Sequence, residues 1–326
     1  MTNAELMAAL KEQAAGIDAL MAEDLASIES PLLAKIIRHA IFQGGKRIRP
    51  LLTLLAANLV GTSPPDTARL AISFEYLHAA SLLHDDVIDH ASLRRGARTA
   101  NTIWGMEPVI LAGDYLHAHA MALASEVGGP AAMALLGRAA AAMVESEFLQ
   151  MHNAQEIQVS EENYFSVLRG KTAALIAAAC EAGIAHSQGS AAQRLALRAY
   201  GINLGLAFQI VDDLLDYLGD PAKTGKAVGN DFQEGKMTLP LIKTLALARA
   251  EERETLLALL RATPQERSRQ LALAHGLMAK YQGFALASAQ AEALLAEALA
   301  GLGIFGETPA KEALAGLAHY VLTRDK

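Results

Sequence analysis

Apolar residues recur along this chain at intervals of three and four, the spacing of helices that turn one face to a core, and no convincing alternating strand interrupts them. Clusters of Gly and Pro punctuate the pattern. Gly44-Gly45 separates a helix over about Pro31–Gln43 from one starting near Pro50, and Gly61-Thr62-Ser63-Pro64-Pro65 ends the second. A long periodic stretch runs from Thr67 to Asp89, followed by a basic loop over Ala91–Thr99. Gly128-Gly129-Pro130 and Ser187–Ser190 read as turns. Asp220-Pro221 opens a polar, lysine-bearing loop to about Thr238, after which Pro240 restarts a helix. No repeat at solenoid periods is present. The pattern predicts one all-α domain over residues 1–326, a bundle with long central helices.

Composition agrees. Hydrophobic residues make up 52% of the 326 positions but aromatics only 5%, so Ala and Leu, strong helix formers, supply the apolar content. The formal charge of −7 argues against a general nucleic-acid surface. Cys180 is the only cysteine, which excludes an intrachain disulfide and argues against a thiolate zinc site; its apolar surroundings predict core filler. Met1–Leu20 lacks the basic and apolar regions of a signal peptide. No uncharged run reaches the roughly 18 apolar residues of a spanning helix. The expectation is a cytoplasmic protein with no transmembrane segment.

Candidate chemistry lies in two acidic clusters. Asp85-Asp86-Val87-Ile88-Asp89 places Asp85 and Asp89 at i and i+4, on one helix face, with Asp86 rotated to the side. Asp212-Asp213-Leu214-Leu215-Asp216 repeats that spacing. Carboxylates stacked this way repel by about a few tenths of a kcal/mol even when exposed, and the apolar residues before each cluster raise the cost. Hard cations offset it, and Mg²⁺ characteristically uses one or two carboxylates with substrate phosphates and water. The bland alternative is a solvated acidic face; recurrence of the same spacing makes it the weaker reading.

A diphosphate also needs donors. Lys46 and Arg49 stand three apart at a helix entrance, where backbone N–H groups assist anion binding. Arg94-Arg95 follows the first cluster, Gly170-Lys171-Thr172 adds a cation and a hydroxyl, and Lys226 and Lys236 follow the second. Singly, each is more often a surface charge; jointly with the carboxylates they form a pattern.

That pattern resembles the trans-polyprenyl diphosphate synthase family. The resemblance rests on Gly45-Lys46-Arg47-Ile48-Arg49-Pro50, Leu83-His84-Asp85-Asp86-Val87-Ile88-Asp89 through Arg94-Arg95-Gly96, Gly113-Asp114-Tyr115-Leu116, Lys171-Thr172, Phe208-Gln209-Ile210-Val211-Asp212-Asp213-Leu214-Leu215-Asp216-Tyr217 and Asp231 to Pro240. It implies an all-α homodimer with the active site in a central cavity of the bundle. It also implies Mg²⁺, three per site, held by Asp85, Asp89, Asp212 and Asp216. Lys46, Arg49, His78 and Arg95 match binders of isopentenyl diphosphate. Arg94, Lys171, Thr172, Gln209, Lys226 and Lys236 match contacts to an allylic prenyl diphosphate. One departure stands out: Ser146 precedes Glu147 and Gln150 where the family often has Gly before the Glu, which leaves local helix packing open.

The implied reaction is ionisation, condensation and elimination: diphosphate departs, the isopentenyl double bond attacks the allylic cation, and a proton is lost. Ala80 and Ser81, five and four residues before Asp85, are small where family members with short products carry aromatics. Phe74 lies about three turns below, at roughly 5.4 Å per turn, and is either a deeper limit or ordinary core. The expectation is a product from geranylgeranyl to octaprenyl or longer, the long end favoured, with a farnesyl synthase as the alternative. A class I terpene cyclase would lack the second DDxxD and the isopentenyl residues. A di-iron bundle finds one Glu75-x-x-His78 but only Asp114-x-x-His117 as a second copy, and a P-loop fails because Phe165 stands where its first glycine belongs. A non-catalytic subunit would be expected to have lost some of the aspartates or Arg94-Arg95, and none of these is lost.

Overall fold

The computed structural model describes residues 3–61, 63–94, 96–153, 159–219 and 228–323. In chain order the helices are α1 (Asn3–Asp24), α2 (Pro31–Phe42), α3 (Ile48–Ala57), α4 (Thr67–Ile88), α5 (Ala100–Trp104), α6 (Met106–Asn153), α7 (Glu161–Leu168), α8 (Ala174–His186) and α9 (Ala191–Leu218). Then follow α10 (Asn230–Glu234), α11 (Leu239–Leu247), α12 (Ala250–Arg261), α13 (Pro264–Arg269), α14 (Leu271–Lys280), α15 (Gly283–Gly301) and α16 (Pro309–Thr323). Local chemistry sets several starts. Ser30 accepts the Leu33 N–H with Pro31 in the first turn of α2, Ser160 caps α7 through the Asn163 N–H at 3.1 Å, and Thr263 with Glu266 forms a capping box ahead of α13.

The chain falls into two compact units. The first comprises Met1–Ala140, Leu175–Arg198 and Leu302–Gly316. Here α3 lies along α4, and α1 and α2 pack on α4. Leu51, Leu52, Leu55, Leu70, Phe74 and Tyr76 are buried in it, so apolar burial is what holds this layer together. The second comprises Ala141–Ala174, Ala199–Gly301 and Leu317–Lys326. Its core joins Tyr217, Phe232, Leu241, Leu256, Leu257 and Met278, with α11 on α15 and α10 on α13.

Three local expectations need correction. The basic segment after Asp89 is not plain loop: β1 (Leu93–Arg94) pairs antiparallel with β2 (Ala97–Arg98), Leu93 opposite Arg98. A two-residue connection closes it, and Gly96 supplies positive φ (78°). Gly128-Gly129-Pro130 does not end a helix. It kinks α6, because Gly129 steps out of helical geometry (φ 66°) and Pro130, which lacks an N–H, restarts it. The loop before Thr238 contains α10, whose Phe232 is buried in the second unit's core and so gives the segment an inward anchor.

Cys180 is fully buried, and burial pushes its thiol well above the ordinary range, as expected of core filler. Met106–Asn153 and Gly283–Ile304 contain windows long and apolar enough to cross a bilayer by length and composition alone. Both are Ala-rich helices of the kind a helical bundle also uses.

Candidate active site

In the first unit the acidic motif occupies the last turn of α4. Asp85 is half-buried, and Asp89 is exposed at the C-cap, its N–H donating to the Asp85 carbonyl at 2.8 Å. Asp89 keeps right-handed backbone angles, so it remains one turn from Asp85 as the spacing predicts. Asp86 points elsewhere. It is 5% exposed, and Arg94 donates to its Oδ1 from Nε at 2.8 Å and Nη2 at 2.7 Å. The Asn101 side chain donates to the Asp86 carbonyl at 2.9 Å. The β-hairpin and α5 are thereby tied to the end of the motif helix.

The residue before the motif is also held. The His84 ring lies against Gly113, where a Cβ would sit 2.3 Å from Nε2, and the same nitrogen meets the Ile110 carbonyl at 3.2 Å and Asp114 Oδ1 at 3.4 Å. This gives the Gly113-Asp114 pair a physical reason: the glycine makes room for an imidazole that fixes the end of α4.

Of the isopentenyl-matching residues in this unit, Lys46 is exposed just before α3, while Arg49 and His78 are half-buried on α3 and α4. Arg95 lies outside the described residues. Between Lys46 and Arg49 stands Arg47, 4% exposed and left-handed (φ 49°). Its guanidinium donates to Asp18 at 2.6 Å, Glu75 at 3.1 Å and the Ile41 carbonyl at 2.7 Å. Glu75 of the Glu-x-x-His pattern is therefore engaged by an arginine. Phe74 and Ala80 are buried, and half-buried Ser81 donates to the His78 carbonyl at 2.8 Å.

In the second unit, residues from four helical segments meet: the end of α6, α7, the turn after it and α9. Arg169–Ala173 is a single π-helical turn, a feature often found at functional sites. Gly170 within it approaches α6 so closely that a Cβ would lie 2.5 Å from both the Ala142 carbonyl oxygen and Ser146 Cβ. Ser146 is buried and donates to the Met143 carbonyl at 2.6 Å, so the departure noted in the sequence is accommodated by the glycine opposite it. Next in the turn, Lys171 reaches Glu147 at 2.8 Å and Gln150 at 3.1 Å. Buried Thr172 donates to Gln209 Oε1 at 3.2 Å, and Gln209 donates to Asp213 Oδ1 at 3.2 Å. Tyr164 completes this array by donating to Asp213 Oδ2 at 2.7 Å.

The second acidic motif thus divides as the first does. Asp213 is buried among donors, whereas Asp212 and Asp216 are half-buried. Burial, then the neighbouring Asp231, pushes Asp213 up to about 7 and Asp216 up to about 6. The Asp231 N–H donates to Asp216 Oδ2 at 3.1 Å, and Lys236 bonds Asp231 at 3.2 Å and Glu234 at 2.7 Å. Lys226 lies outside the described residues.

Among the described residues no group of three or more His, Cys, Asp or Glu side chains is gathered as a complete metal cage. That fits Mg²⁺, which takes one or two carboxylates and completes its shell with phosphate and water. The donor set fits as well, because each motif offers only hard carboxylate oxygens.

Sequence reasoning did not assign Arg47, Tyr164, Asp86 or Asp213 a role. Arg47, Asp86 and Asp213 sit inside the recognised motifs, so position could have flagged them, but burial decides what they do. Nothing in the sequence marks Tyr164.

A family model described as polyprenyl synthetase matches residues 30–275. A short chain isoprenyl diphosphate synthase from Methanothermobacter thermautotrophicus is 36% identical over 98% of this chain and 99% of its own length. The octaprenyl diphosphate synthase of Escherichia coli is 35% identical over 96% of each. Among solved structures, a decaprenyl diphosphate synthase from Rhodobacter capsulatus is similar with a TM-score of 0.90 and 39% identity over 100% of both chains. With the all-α architecture and the paired aspartate motifs, these matches establish that the chain belongs to the polyprenyl synthetase family and is a prenyltransferase.

Proposed function

We propose that this enzyme condenses isopentenyl diphosphate with an allylic prenyl diphosphate and grows an all-trans chain of medium to long length, from geranylgeranyl to octaprenyl or beyond. The observation that carries the reading is the shared division of labour in the two motifs. One aspartate in each is buried and committed to protein donors, Asp86 to Arg94 and Asp213 to Tyr164 and Gln209. The flanking pairs, Asp85 with Asp89 and Asp212 with Asp216, are more exposed and present hard oxygens from the last two turns of their helices.

Those four carboxylates are the proposed Mg²⁺ ligands, for three ions. Bound there, Mg²⁺ supplies positive charge that favours loss of diphosphate from the allylic carbon. Lys46, Arg49, His78 and Arg95 orient isopentenyl diphosphate so that its double bond meets that carbon. Arg94, Lys171, Thr172, Gln209, Lys226 and Lys236 hold the allylic diphosphate and stabilise it as the carbon–oxygen bond breaks. The new carbon–carbon bond forms, and a proton leaves the adjacent carbon. The long end of the product range is favoured by the octaprenyl and decaprenyl synthases among the similar proteins and by Ala80 and Ser81. The enzyme is proposed to work as a homodimer, and the exposed Met106, Ile110 and Leu111 on α6 offer apolar surface for a second copy.

Purified Asp85→Ala and Asp212→Ala should fold normally and lose turnover with farnesyl and isopentenyl diphosphates at every Mg²⁺ concentration. Wild-type, Mg²⁺-dependent kinetics in either would end this reading. Chromatography of the dephosphorylated wild-type products tests the length; farnesyl alone from shorter primers would overturn it.

A further inference from the structure

The short helix α10 carries Asp231 and leads directly to Lys236, and left-handed glycines stand at both its ends, Gly229 and Gly235, each with φ 80°. Five residues are too few to hold a helix on their own. One segment later in the chain faces both glycines. A Cβ on Gly229 would lie 2.5 Å from Leu271 Cδ1, and one on Gly235 would lie 3.1 Å from Arg267 Nη1.

Arg267 is 9% exposed, unusual for a cation, and among the described residues its guanidinium bonds backbone carbonyls rather than a carboxylate. Its Nε donates to the Gln233 carbonyl at 2.8 Å, and its Nη1 donates to the Leu260 and Ala262 carbonyls at 3.0 Å each. These carbonyls belong to the end of α10 and the end of α12, where helix dipoles favour a cation. The capping box of Thr263 and Glu266 fixes the turn from which Arg267 projects. One buried guanidinium, carried by α13, therefore ties α10 to the end of α12. From the other side, the Gly229 N–H donates to the Asp216 carbonyl at 2.7 Å, and the Asp231 N–H to the Asp216 carboxylate. The segment is held between the second aspartate motif and Arg267.

We propose that Arg267 is a positioning residue for the diphosphate site: through Gln233 and Gly235 it sets where Lys236 stands relative to the second motif. The proposal rests on Lys236 serving the allylic diphosphate. It assigns a catalytic consequence to a stretch of chain, beyond Ala250, that carries no recognisable motif.

Steady-state kinetics on the full chain would compare Arg267→Met, Arg267→Lys, Lys236→Gln and the double variant Arg267→Met/Lys236→Gln. The expected result is an allylic KM raised about tenfold in Arg267→Met, the scale of one misplaced charged hydrogen bond, and raised less in Arg267→Lys. The KM for isopentenyl diphosphate should not move. Adding Arg267→Met to Lys236→Gln should cost nothing further, because the group being positioned is already gone. Amide exchange over residues 231–236 should quicken in Arg267→Met while α9 keeps its protection. Should Arg267→Met fail to fold, Arg267→Lys carries the same comparison. A lowered melting temperature with wild-type allylic KM, or effects that multiply in the double variant, would overturn the proposal alone. Wild-type KM in Lys236→Gln would instead remove the role of Lys236, and the proposal with it.

Discussion

Replacing Arg47 by Met would leave the Glu75 carboxylate buried without its cation. Glu75 is 6% exposed, and Arg47 Nη1 is 3.1 Å from its Oε1. Breaking a buried pair from one side costs about 3–5 kcal/mol, because the remaining charge is uncompensated. The Ile41 carbonyl also loses its donor, whereas Asp18, 43% exposed, turns to water. Against a total stability of roughly 5–15 kcal/mol the loss is large. The double variant Arg47→Met/Glu75→Leu removes both charges and should recover most of it, leaving about 1–3 kcal/mol for the orphaned carbonyl. Urea unfolding followed by circular dichroism gives the midpoints for both variants and for Glu75→Leu. A wild-type midpoint in Arg47→Met, or effects in the double variant that simply add, would refute the reasoning. Because Lys46 and Arg49 flank this anchor, a folded Arg47→Met should also show a raised KM for isopentenyl diphosphate.

Gly170→Ala would normally gain about 0.5–1 kcal/mol in a helix. Its Cβ would lie 2.5 Å from Ala142 O and Ser146 Cβ, so overpacking of about 1–3 kcal/mol wins, and thermal unfolding should show net destabilisation partly relieved by Ser146→Gly. Ser81→Phe should shorten the main product by chromatography, and an unchanged distribution would take Ser81 off the chain-length path. Burial raises the Asp24 pKa, but hydrogen bonds from His119 and Tyr76 outweigh it and leave the carboxyl below its usual value. A depressed folded pKa contributes stability that is fully present above the unfolded value of about 4 and is lost as pH falls through the folded one. Asp24→Asn should therefore flatten the acid limb of a stability–pH profile; an unchanged limb would count against it.

Apolar spacing with Gly and Pro punctuation was enough to read the all-α class and the early helices, even though α4 is buried on every side over residues 70–77. The limits of α4 follow from Pro65 and Asp89 within two residues. What the pattern did not disclose depends on contacts distant in sequence. The hairpin around Gly96 is two residues a side, too short for alternation to register, and it is stabilised by Arg94 on Asp86. The glycine and proline at 129–130 carry the same signal whether the helix stops or kinks, and the packing around it decides. Lys171 was legible as a cation, but its partners Glu147 and Gln150 became visible only once the π turn brought it to them.

The three-aspartate motif shows how spacing and burial combine. Successive helical residues are about 100° apart, so aspartates one turn apart share a face and the one between turns toward the flank. In α4 that flank meets Arg94, and in α9 it meets Tyr164 and Gln209. A carboxylate on the flank fixes neighbouring segments to the helix end from which the outer pair projects. Asp86 organises the hairpin bearing Arg94, and Asp213 organises the array of Tyr164, Gln209 and Thr172. Substituting the middle aspartate should therefore disturb cation placement around the outer pair. Substituting an outer aspartate should remove a proposed metal ligand and leave the scaffold standing. Two motifs with the same spacing but different anchors fit the role proposed for the outer carboxylates, since anchoring of the middle aspartate alone would not require the spacing to recur.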